Sequence, residues 1–494
     1  MSDAMASAPR YRFAPLDRSG IFMGCNVAQC IALGAAILAS ALLIRVAPLP
    51  IAVAPLLIGT VVAFGRYDGR SLREWIPVLV RWQRTVSRPW CVPVPLLGAG
   101  RSGAVPLPPM LDGLELLEVD APTWVQRRRV GAVGVLLDER ARTVTAVLTV
   151  AGREFSLAET SEQARAVASW GEVLAVFSRE RSPVSRVAWC EWVSPAGVED
   201  HLDFVRSDGA VAAPGRNDYL ALVDHARGFT ARHEVLVAIT VDHRRLRTAT
   251  RRRAPRGGVS GRDARALAIE TVLEETRLFA QRCAEAGLLA DAPMTPEAIS
   301  AAIRTRFDVR ANGAGTHSRM WGPMAVTPRF THVQVDGCWH RSYWIAEWPR
   351  LEQPADWMAP LLMHSSGTRG VAMVYEPVAT SRSTRAVARD AIKLQTDEDQ
   401  RRRGGFRVGA SQRRAQHEVA QREAELVAGF AELRFAGFLV VSEPSEDALE
   451  ERCAELEQVA ARVGLELRAL HGQHDVGLGA ALPLGRYPTP QWQP

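Results

Sequence analysis

Lysine is nearly missing from this chain of 494 residues: Lys393 is the only lysine, and almost all of the basic charge comes from arginine. A Walker A loop needs a Gly-Lys pair, because its lysine reaches the phosphates of the nucleotide. No glycine stands next to Lys393, whose neighbours form an ordinary helical pattern. The sequence therefore excludes a conventional P-loop motor, and it leaves a single lysine for Schiff-base chemistry.

Other catalytic and metal-binding patterns are also missing. The seven cysteines are an odd, scattered set without zinc-ligand spacing, which excludes a disulfide framework and fits a reducing cytoplasm. No Gly-x-Ser-x-Gly nucleophile elbow is present. His471 and His474 have Asp475 as their one nearby candidate ligand, and Asp397-Glu398-Asp399 lies on a helical pattern beside arginines. We interpret both groups as structural and expect no catalytic residue, cofactor or metal site.

One part of the chain lacks charge altogether. Residues 21–44 contain no charged side chain over 24 positions, and a second apolar run covers residues 51–64. About 20 apolar residues are needed for a helix to cross a bilayer. Pro48 and Pro50, between the two runs, predict a tight turn. We interpret residues 21–66 as a two-helix transmembrane hairpin, in preference to a signal peptide, a buried core helix or a re-entrant second helix.

Arginines flank this predicted hairpin on both sides, whereas the turn between the runs holds Arg45 alone. Cytoplasmic loops collect basic residues, so the pattern predicts a multi-pass protein of the inner membrane with both termini cytoplasmic. Residues 70–84 are predicted to form an amphipathic helix, which either lies on the membrane surface or packs on the soluble part of the chain. The residues predicted at the membrane interface are Arg66, Arg70, Arg73, Trp75, Arg81, Trp82 and Arg84.

The remaining chain has the composition of a globular protein, with 47% hydrophobic and 23% charged residues. Strand and helix patterns alternate along it: we predict strands at residues 130–137 and 143–150, a helix capped by Thr295 and a loop at residues 309–330. After that loop, a second segment repeats the plan of the first. We predict an α+β fold class, in which the hairpin precedes a mixed α/β cytoplasmic body of two ferredoxin-like or split βαβ-type domains. The predicted boundaries are a cytoplasmic arm at 1–20, the transmembrane hairpin at 21–66, a basic amphipathic segment and Pro-rich connector at 67–125, a first α/β domain at 126–308, a second α/β domain with a helical hairpin at 309–480, and a tail at 481–494.

Two clusters are candidates for partner binding. Arginines concentrate in a Gly-containing loop at residues 243–258, and tryptophans crowd into residues 339–357, where they supply large buried areas in a core or at an interface. The net charge of +6 is mild, and we attribute it to contact with acidic lipid. We do not expect nucleic acid binding, because no aromatic side chains alternate with the arginines for base stacking. The candidate partner-binding residues are Trp339, Trp344, Trp348, Arg251, Arg252 and Arg253.

Two segments carry a resemblance to known families. Residues 69–75, Gly-Arg-Ser-Leu-Arg-Glu-Trp, follow two closely spaced apolar runs and resemble PrgI-type membrane proteins of type IV secretion-like machines. Residues 340–350, followed by Trp357 and Leu361-Leu362, are similar to the amino-terminal domain of the large type IV secretion ATPases, without their motor. The layout is also similar to EccE-type subunits of type VII secretion. As a whole, the chain resembles an actinobacterial family of secretion-like loci.

These resemblances imply a non-catalytic, integral inner-membrane scaffold subunit of a secretion or conjugation-like machine, which docks a separate ATPase on its cytoplasmic side. The implied partners are membrane lipid and other secretion-apparatus subunits, including a P-loop ATPase, and we expect a homo-oligomer. Two other classes stay open. One is a membrane-bound enzyme or nucleotide-binding regulator, which ATP binding by residues 100–494 would favour. The other is a membrane-anchored nucleic acid binder that acts through its Arg-rich loops, which DNA binding at low salt would favour.

Overall fold

The computed structural model describes residues 11, 27–46, 48–67, 70–86, 88–92, 106–152, 155–195, 201–202, 204–205, 215–226, 231–250, 261–308, 321–364, 367–403 and 409–487. Its first elements are two helices, α1 (Val27–Leu43) and α2 (Leu49–Phe64). Gln29 near the start of α1 donates to the Ala63 carbonyl at the end of α2 over 3.0 Å, which shows that the two helices pack antiparallel to each other. We call this pair the apolar hairpin.

The apolar hairpin does not have the length that the sequence predicts for a transmembrane pair. Its helices contain 17 and 16 residues. At a rise of about 1.5 Å per residue they span about 26 and 24 Å, less than the roughly 30 Å of a bilayer core. No helix in the described part of the chain is both long and apolar enough to cross a membrane. The predicted transmembrane hairpin is therefore wrong, as is the multi-pass inner-membrane location that rests on it.

A short basic segment joins the apolar hairpin to the rest of the chain. Strands β1 (Arg66–Tyr67) and β2 (Arg70–Ser71) form a two-stranded ribbon, and helix α3 (Leu72–Arg81) follows it directly. A π-helical turn, Trp82–Val86, leads on to strand β3 (Trp90–Cys91). The ribbon brings the chain back on itself, so that α3 begins next to the end of α2, where the Leu72 amide donates to the Gly65 carbonyl over 2.9 Å.

The first half of the large sheet and its helices cover residues 114–307. Its strands are rich in valine, leucine and threonine, which favour extended backbone, and Thr295 caps the last helix by accepting from the Ala298 amide. The elements are β4 (Leu114–Asp120), α4 (Thr123–Gln126), β5 (Ala132–Asp138), β6 (Thr143–Ala151), α5 (Thr160–Ala175), β7 (Val184–Pro195), α6 (Arg216–Ala226), β8 (Ala231–Asp242), α7 (His243–Thr250), α8 (Gly261–Glu285), β9 (Leu289–Pro293) and α9 (Pro296–Phe307).

The second half covers residues 325–481 and differs mainly by a long helical hairpin between two central strands. Ser445 caps the helix after those strands by accepting from the Ala448 amide. The elements are β10 (Ala325–Pro328), β11 (Val333–Val335), β12 (Cys338–Glu347), α10 (Ala359–Leu362), β13 (Thr368–Pro377), α11 (Thr380–Arg403), α12 (Ala410–Val427), β14 (Leu433–Glu443), α13 (Glu446–Arg462), β15 (Glu466–Ala469) and α14 (His474–Ala481).

Both halves contribute strands to one 13-stranded sheet, in which every pairing is antiparallel. The order along it is β3-β10-β11-β12-β14-β13-β7-β8-β6-β5-β4, with β15 beside β12 and β9 beside β6. The predicted fold class is therefore corrected to a mixed α/β protein built on a large antiparallel sheet, without a transmembrane hairpin. The segment boundaries predicted at 126–308 and 309–480 stay predictions.

The strand order has an approximate twofold symmetry about its centre. β7 and β13 lie side by side there, with Trp192 opposite Gly370. Outward from them the order is β8-β6-β5-β4 on one side and β14-β12-β11-β10 on the other. The short strands β9 and β15 each pair with the third strand counted from the centre. The two halves therefore repeat one plan of strands.

The two faces of the sheet are covered differently. On one face, which we call the shared face, α9 and α14 pack on strands of both halves and enclose one core that includes Ile303, Phe438 and Leu478. On the other face, the split face, α5 and α8 cover the first half, whereas α10 and α13 cover the second. Complete burial of a side chain as large as Phe438 is worth about 1.5–3 kcal/mol. The shared face therefore holds the two halves together.

Candidate functional site

The outer surface of the apolar hairpin is exposed and apolar. Monomeric proteins rarely expose contiguous apolar patches larger than a few hundred Å². On this hairpin the large apolar side chains face outward, and Leu38 and Leu57 are 64% and 62% exposed. The apolar side chains that are at least half exposed are Ile31, Ile37, Leu38, Leu42, Ile44, Val46, Leu49, Ile51, Leu57, Ile58, Val61 and Phe64.

Small residues fill the inside of the apolar hairpin. Ala36, Ala52 and Ala63 are buried between the helices. A methyl group added at Gly59 would lie 2.3 Å from the Ala36 Cβ, so the helices meet at van der Waals distance there. Because the small residues face inward and the leucines and isoleucines face outward, the hairpin has no further apolar surface to bury internally. Its outer surface is thus suited to an apolar partner.

Helix α3 fixes the apolar hairpin to the sheet through aromatic contacts. Trp75 is 4% exposed and packs on Phe330 and His471, with ring centroids 6.1 and 6.3 Å apart. Phe330 and His471 stack on each other at 5.5 Å. The Trp75 indole also donates to the Tyr67 carbonyl over 3.0 Å, which ties the β1–β2 ribbon to the same place. We call Trp75, Phe330 and His471 the aromatic stack.

An ion pair lies beside the aromatic stack. The Arg81 guanidinium is 3.5 Å from the Asp475 carboxylate, which is buried at the start of α14. Burial raises the pKa of Asp475, and the Arg81 charge opposes that change. Removal of Arg81 would leave a buried carboxylate without its cation, which is more costly than the loss of an exposed pair. The pair therefore strengthens the attachment of α3 to the second half.

Three of the seven residues predicted at a membrane interface lie at this attachment. Trp75 is buried in the aromatic stack, Trp82 is partly buried against Phe330 at 5.9 Å, and Arg81 contacts Asp475. Arg66 and Arg84 are exposed. The side chains of Arg70 and Arg73 lie outside the described residues. Of the two arrangements that the sequence leaves open for this helix, packing on the sheet accounts for the positions of both tryptophans.

The tryptophans proposed for partner binding take part in internal packing. Trp344 packs against the core of the shared face, and Trp339 is 5.0 Å from His332. Trp348 makes edge contacts with Trp357 and Phe435 at 6.3 and 5.1 Å. All three are only partly buried. Their role in partner binding stays a prediction, and that of Arg251, Arg252 and Arg253 lies outside the described residues.

In the histidine pair, His474 is engaged by a backbone contact. The Ser342 amide donates to Nδ1 of His474 over 3.1 Å, so the lone pair of that nitrogen is engaged. Burial, followed by the neighbouring His471, lowers the pKa of His474. Among the residues that the structure describes, no group of three or more histidine, cysteine or acidic side chains is arranged to hold a metal ion.

The other charged clusters support the fold. Residues 243–250, which the sequence interprets as part of a loop, form helix α7, and Arg245 donates from it to the Val184 carbonyl over 2.8 Å. In the acidic cluster, Glu398 accepts from Arg402 on its own helix and from Gln416 on α12, at 2.5 Å for the latter. Glu398 therefore joins α11 to α12, as expected for a structural carboxylate.

Two buried charged groups are not predicted from the sequence. Arg306 is fully buried on the shared face, where it donates to Glu234 over 3.0 Å and lies 5.6 Å from the Trp192 ring. Glu191, buried on the split face, contacts Nδ1 of His233 at 2.7 Å. These residues come from distant parts of the chain, so no local pattern marks them. Neither group includes a nucleophile with an adjacent base, and both stabilise the junction of β7 with its neighbours.

An open groove of about 440 Å³ lies over the second half. It has no pair of titratable side chains in the arrangement that acid–base chemistry needs. Its lining residues are Pro354, Asp356, Trp357, Ala359, Pro360 and Met363. Next to it, the backbone of Gln353 pairs with that of Tyr11 through two hydrogen bonds of 2.9 Å, so Tyr11 contacts this loop.

No protein-family profile matches the chain, and no curated protein sequence matches it significantly. The resemblance of residues 69–75 to PrgI-type proteins and that of residues 340–350 to secretion ATPase domains therefore stay predictions. The same holds for the similarity in layout to EccE-type subunits.

Proposed function

We propose that the protein is a non-catalytic scaffold subunit of a secretion or conjugation-like machine, in which the apolar hairpin docks an apolar helical segment of a partner subunit. The observation that carries this proposal is the outer surface of that hairpin, where Leu38 and Leu57 are exposed among many other large apolar side chains. Each Å² of apolar surface removed from water contributes roughly 25 cal/mol, so such a surface favours an apolar partner strongly.

The attachment through α3 supports a scaffold role. The aromatic stack and the pair Arg81–Asp475 hold α3 on the second half, and the Leu72 amide bonds to the end of α2. A docking element on a flexible linker would take many orientations relative to the sheet. The apolar hairpin, in contrast, is attached through fixed contacts on both sides of the β1–β2 ribbon. A partner bound to the hairpin is thereby held in a defined position relative to the sheet.

The partner is proposed to belong to an assembly with its own P-loop ATPase. The chain has no Gly-Lys pair for a Walker A loop, so energy for a machine would come from another subunit. The resemblances at residues 69–75 and 340–350 support a secretion or conjugation-like setting. Within the described residues, the charged clusters on the shared and split faces are engaged in structural contacts, which supports a role other than catalysis.

A photo-crosslinking amino acid placed at Leu38 or Leu57 in living cells tests the docking proposal. The expected product is an adduct with an apolar helix of one defined protein, and that protein should copurify with a P-loop ATPase. Leu222 on α6 is the matched control, because it is 64% exposed but lies outside the hairpin. A probe at Leu222 should not capture the same protein.

Several results would overturn the proposal. Hairpin probes that form no protein adduct would contradict docking, and so would an identical adduct from Leu222. The double variant Leu38→Glu with Leu57→Glu should abolish copurification of the partner without lowering the stability of the sheet, because both side chains are exposed. If the partner still copurifies with the double variant, the result would also contradict docking through the apolar hairpin. ATP hydrolysis by the purified chain alone would favour an enzyme instead.

A further inference from the structure

The two outer edges of the sheet differ in a way that the twofold plan does not explain. In the second half, the outer edge of β10 is paired with β3, through Cys91 opposite Ala325 and Trp90 opposite Val326. The Val92 amide extends this pairing by donating to the Met324 carbonyl over 2.9 Å. The equivalent strand of the first half is β4, which ends the strand order, and no strand among the described residues pairs with its outer edge.

The hydrogen bonds at the ends of β4 show which of its backbone groups point outward. The Ala121 amide donates to the Gly131 carbonyl over 3.0 Å, and the Glu139 amide donates to the Gly113 carbonyl over the same distance. In an antiparallel pair, alternate residues direct both their N–H and C=O groups at one neighbour. The odd positions of β4 therefore face β5, and Leu116, Glu118 and Asp120 direct their N–H and C=O groups away from the sheet.

The side chains at this edge are acidic. Glu115, Glu118 and Asp120 are exposed on β4, which contains no basic residue, while Leu116 and Leu117 are partly buried. Pairing with a second copy of β4 is unfavourable for this reason. Two copies of β4 could pair in an antiparallel way only through their outward N–H and C=O groups. In each such register, Glu118 of one copy lies opposite or diagonal to an acidic residue of the other copy. Like charges at these positions destabilise the pairing of the two strands.

We propose that the outer edge of β4 receives an extended, basic segment of a partner protein, which adds a strand to the sheet as β3 does at the opposite end. Main-chain hydrogen bonds from Leu116, Glu118 and Asp120 would hold such a segment, and basic side chains would face Glu118 and Asp120. The outer edge of β4 and the apolar hairpin are made of different residues, and each is tested by its own variants. The two proposals therefore stand or fall independently.

The test measures binding of a labelled peptide of alternating arginine and valine by fluorescence anisotropy, with a peptide of alternating glutamate and valine as its counterpart. The full chain should bind the basic peptide saturably and the acidic one much more weakly. Glu118→Pro removes an outward N–H and leaves the inner ladder intact, as edge strands allow. Glu118→Gln is the matched control, because it removes the same charge and keeps the N–H. We expect Glu118→Pro to bind the basic peptide about tenfold more weakly than Glu118→Gln, the value of one lost hydrogen bond.

Hydrogen exchange on the unaltered chain gives an independent readout if the proline variant fails to fold. Binding of the basic peptide should slow exchange at the amides of Leu116, Glu118 and Asp120, but not at Leu117 and Val119, which already bond to β5. Equal affinity of the two Glu118 variants, or no protection at the outward amides, overturns the proposal. A concentration-dependent dimer that Glu118→Pro abolishes overturns it as well, because the occupant would then be a second copy.

Discussion

The two halves of the sheet differ at one equivalent place on the shared face. Thr145 and His340 are each the third residue of their strands, and each has a cross-strand partner in the next strand, Thr240 for Thr145 and Ser442 for His340. In the first half the two threonine hydroxyls are 3.0 Å apart. In the second half the Ser442 hydroxyl donates to Nδ1 of His340 over 2.7 Å, and Nε2 donates to the Phe307 carbonyl over 3.0 Å.

The segments that cover these two places come from opposite halves. Phe307, at the end of α9, belongs to the first half and lies over His340 of the second. Gly485, which follows α14 of the second half, lies against Thr145 and Thr240 of the first, and its carbonyl accepts from Arg186 over 3.0 Å. Each half therefore caps the other, with unrelated side chains in equivalent roles. The symmetry lies in the backbone, which explains why the sequence shows a similar plan but no repeated residues at these positions.

The largest effect should come from opening the edge that β3 closes in the second half. Trp75→Ala would remove the aromatic stack that holds α3, and truncation of a buried tryptophan costs about 3–5 kcal/mol. We expect a lower free energy of unfolding in urea and faster hydrogen exchange at two amides, that of Val92, which donates to the Met324 carbonyl, and that of Val326, which is paired with Trp90 of β3. Ile76→Ala is the control, because Ile76 is 50% exposed on the same helix. If both variants behave alike, α3 does not stabilise this edge.

Local parts of the fold could be predicted from the sequence, but their assembly could not. The strands 130–137 and 143–150 are predicted close to their observed bounds, Ala132–Asp138 and Thr143–Ala151, because side-chain pattern and turn residues act locally. Thr295 is likewise predicted as a helix cap and observed as one. Residues 309–330, predicted as loop, contain β10, because that strand owes its pairing to β3 from far along the chain.

The same limit applies to the candidate site. The apolar face of residues 70–84 leaves open whether Trp75 and Trp82 lie on a membrane surface or pack on the rest of the chain, because their contacts with Phe330 are non-local and cannot be derived from spacing. A charge-free run of 24 residues likewise does not specify where a helix begins and ends. The apolar hairpin is therefore found at the predicted place with shorter helices than predicted.

A smaller effect is expected from His340, which is the one titratable side chain among the four residues compared, Thr145, Thr240, His340 and Ser442. Burial lowers the pKa of His340 to about 4, against smaller opposing effects of the Phe307 carbonyl and Asp308. The unfolded chain, whose histidines have a pKa near 6.5, binds a proton in the window between these values and the folded chain does not. Stability should therefore fall as the pH decreases from 6.5 to 4, by about 3 kcal/mol for this residue.

His340→Gln provides the control for this pH effect, because glutamine can also donate to the Phe307 carbonyl and accept from Ser442 but does not titrate. Free energies of unfolding measured in urea across this pH range should depend on pH less steeply for the variant, by the amount assigned to His340. If the free energy of unfolding changes with pH equally in the unaltered chain and in His340→Gln, the histidine is not buried in its neutral form. The threonine pair of the first half has no corresponding pH dependence.

The smallest effect is expected where the second half covers the first. Gly485 has a φ of +66°, and a methyl group there would lie 2.2 and 2.5 Å from the hydroxyl oxygens of Thr145 and Thr240. Gly485→Ala combines a strained backbone with overlap at a buried hydroxyl pair, so we expect a loss of about 2 kcal/mol in the free energy of unfolding. Gly479→Ala is the matched control, because that position in α14 has open space and alanine favours a helix by up to about 1 kcal/mol. If the loss shrinks in a background of Thr145→Ala and Thr240→Ala, it comes from overlap with the two hydroxyl oxygens. If the loss persists in that background, it comes from the left-handed backbone at Gly485, through which the C-terminal segment of the second half caps the first.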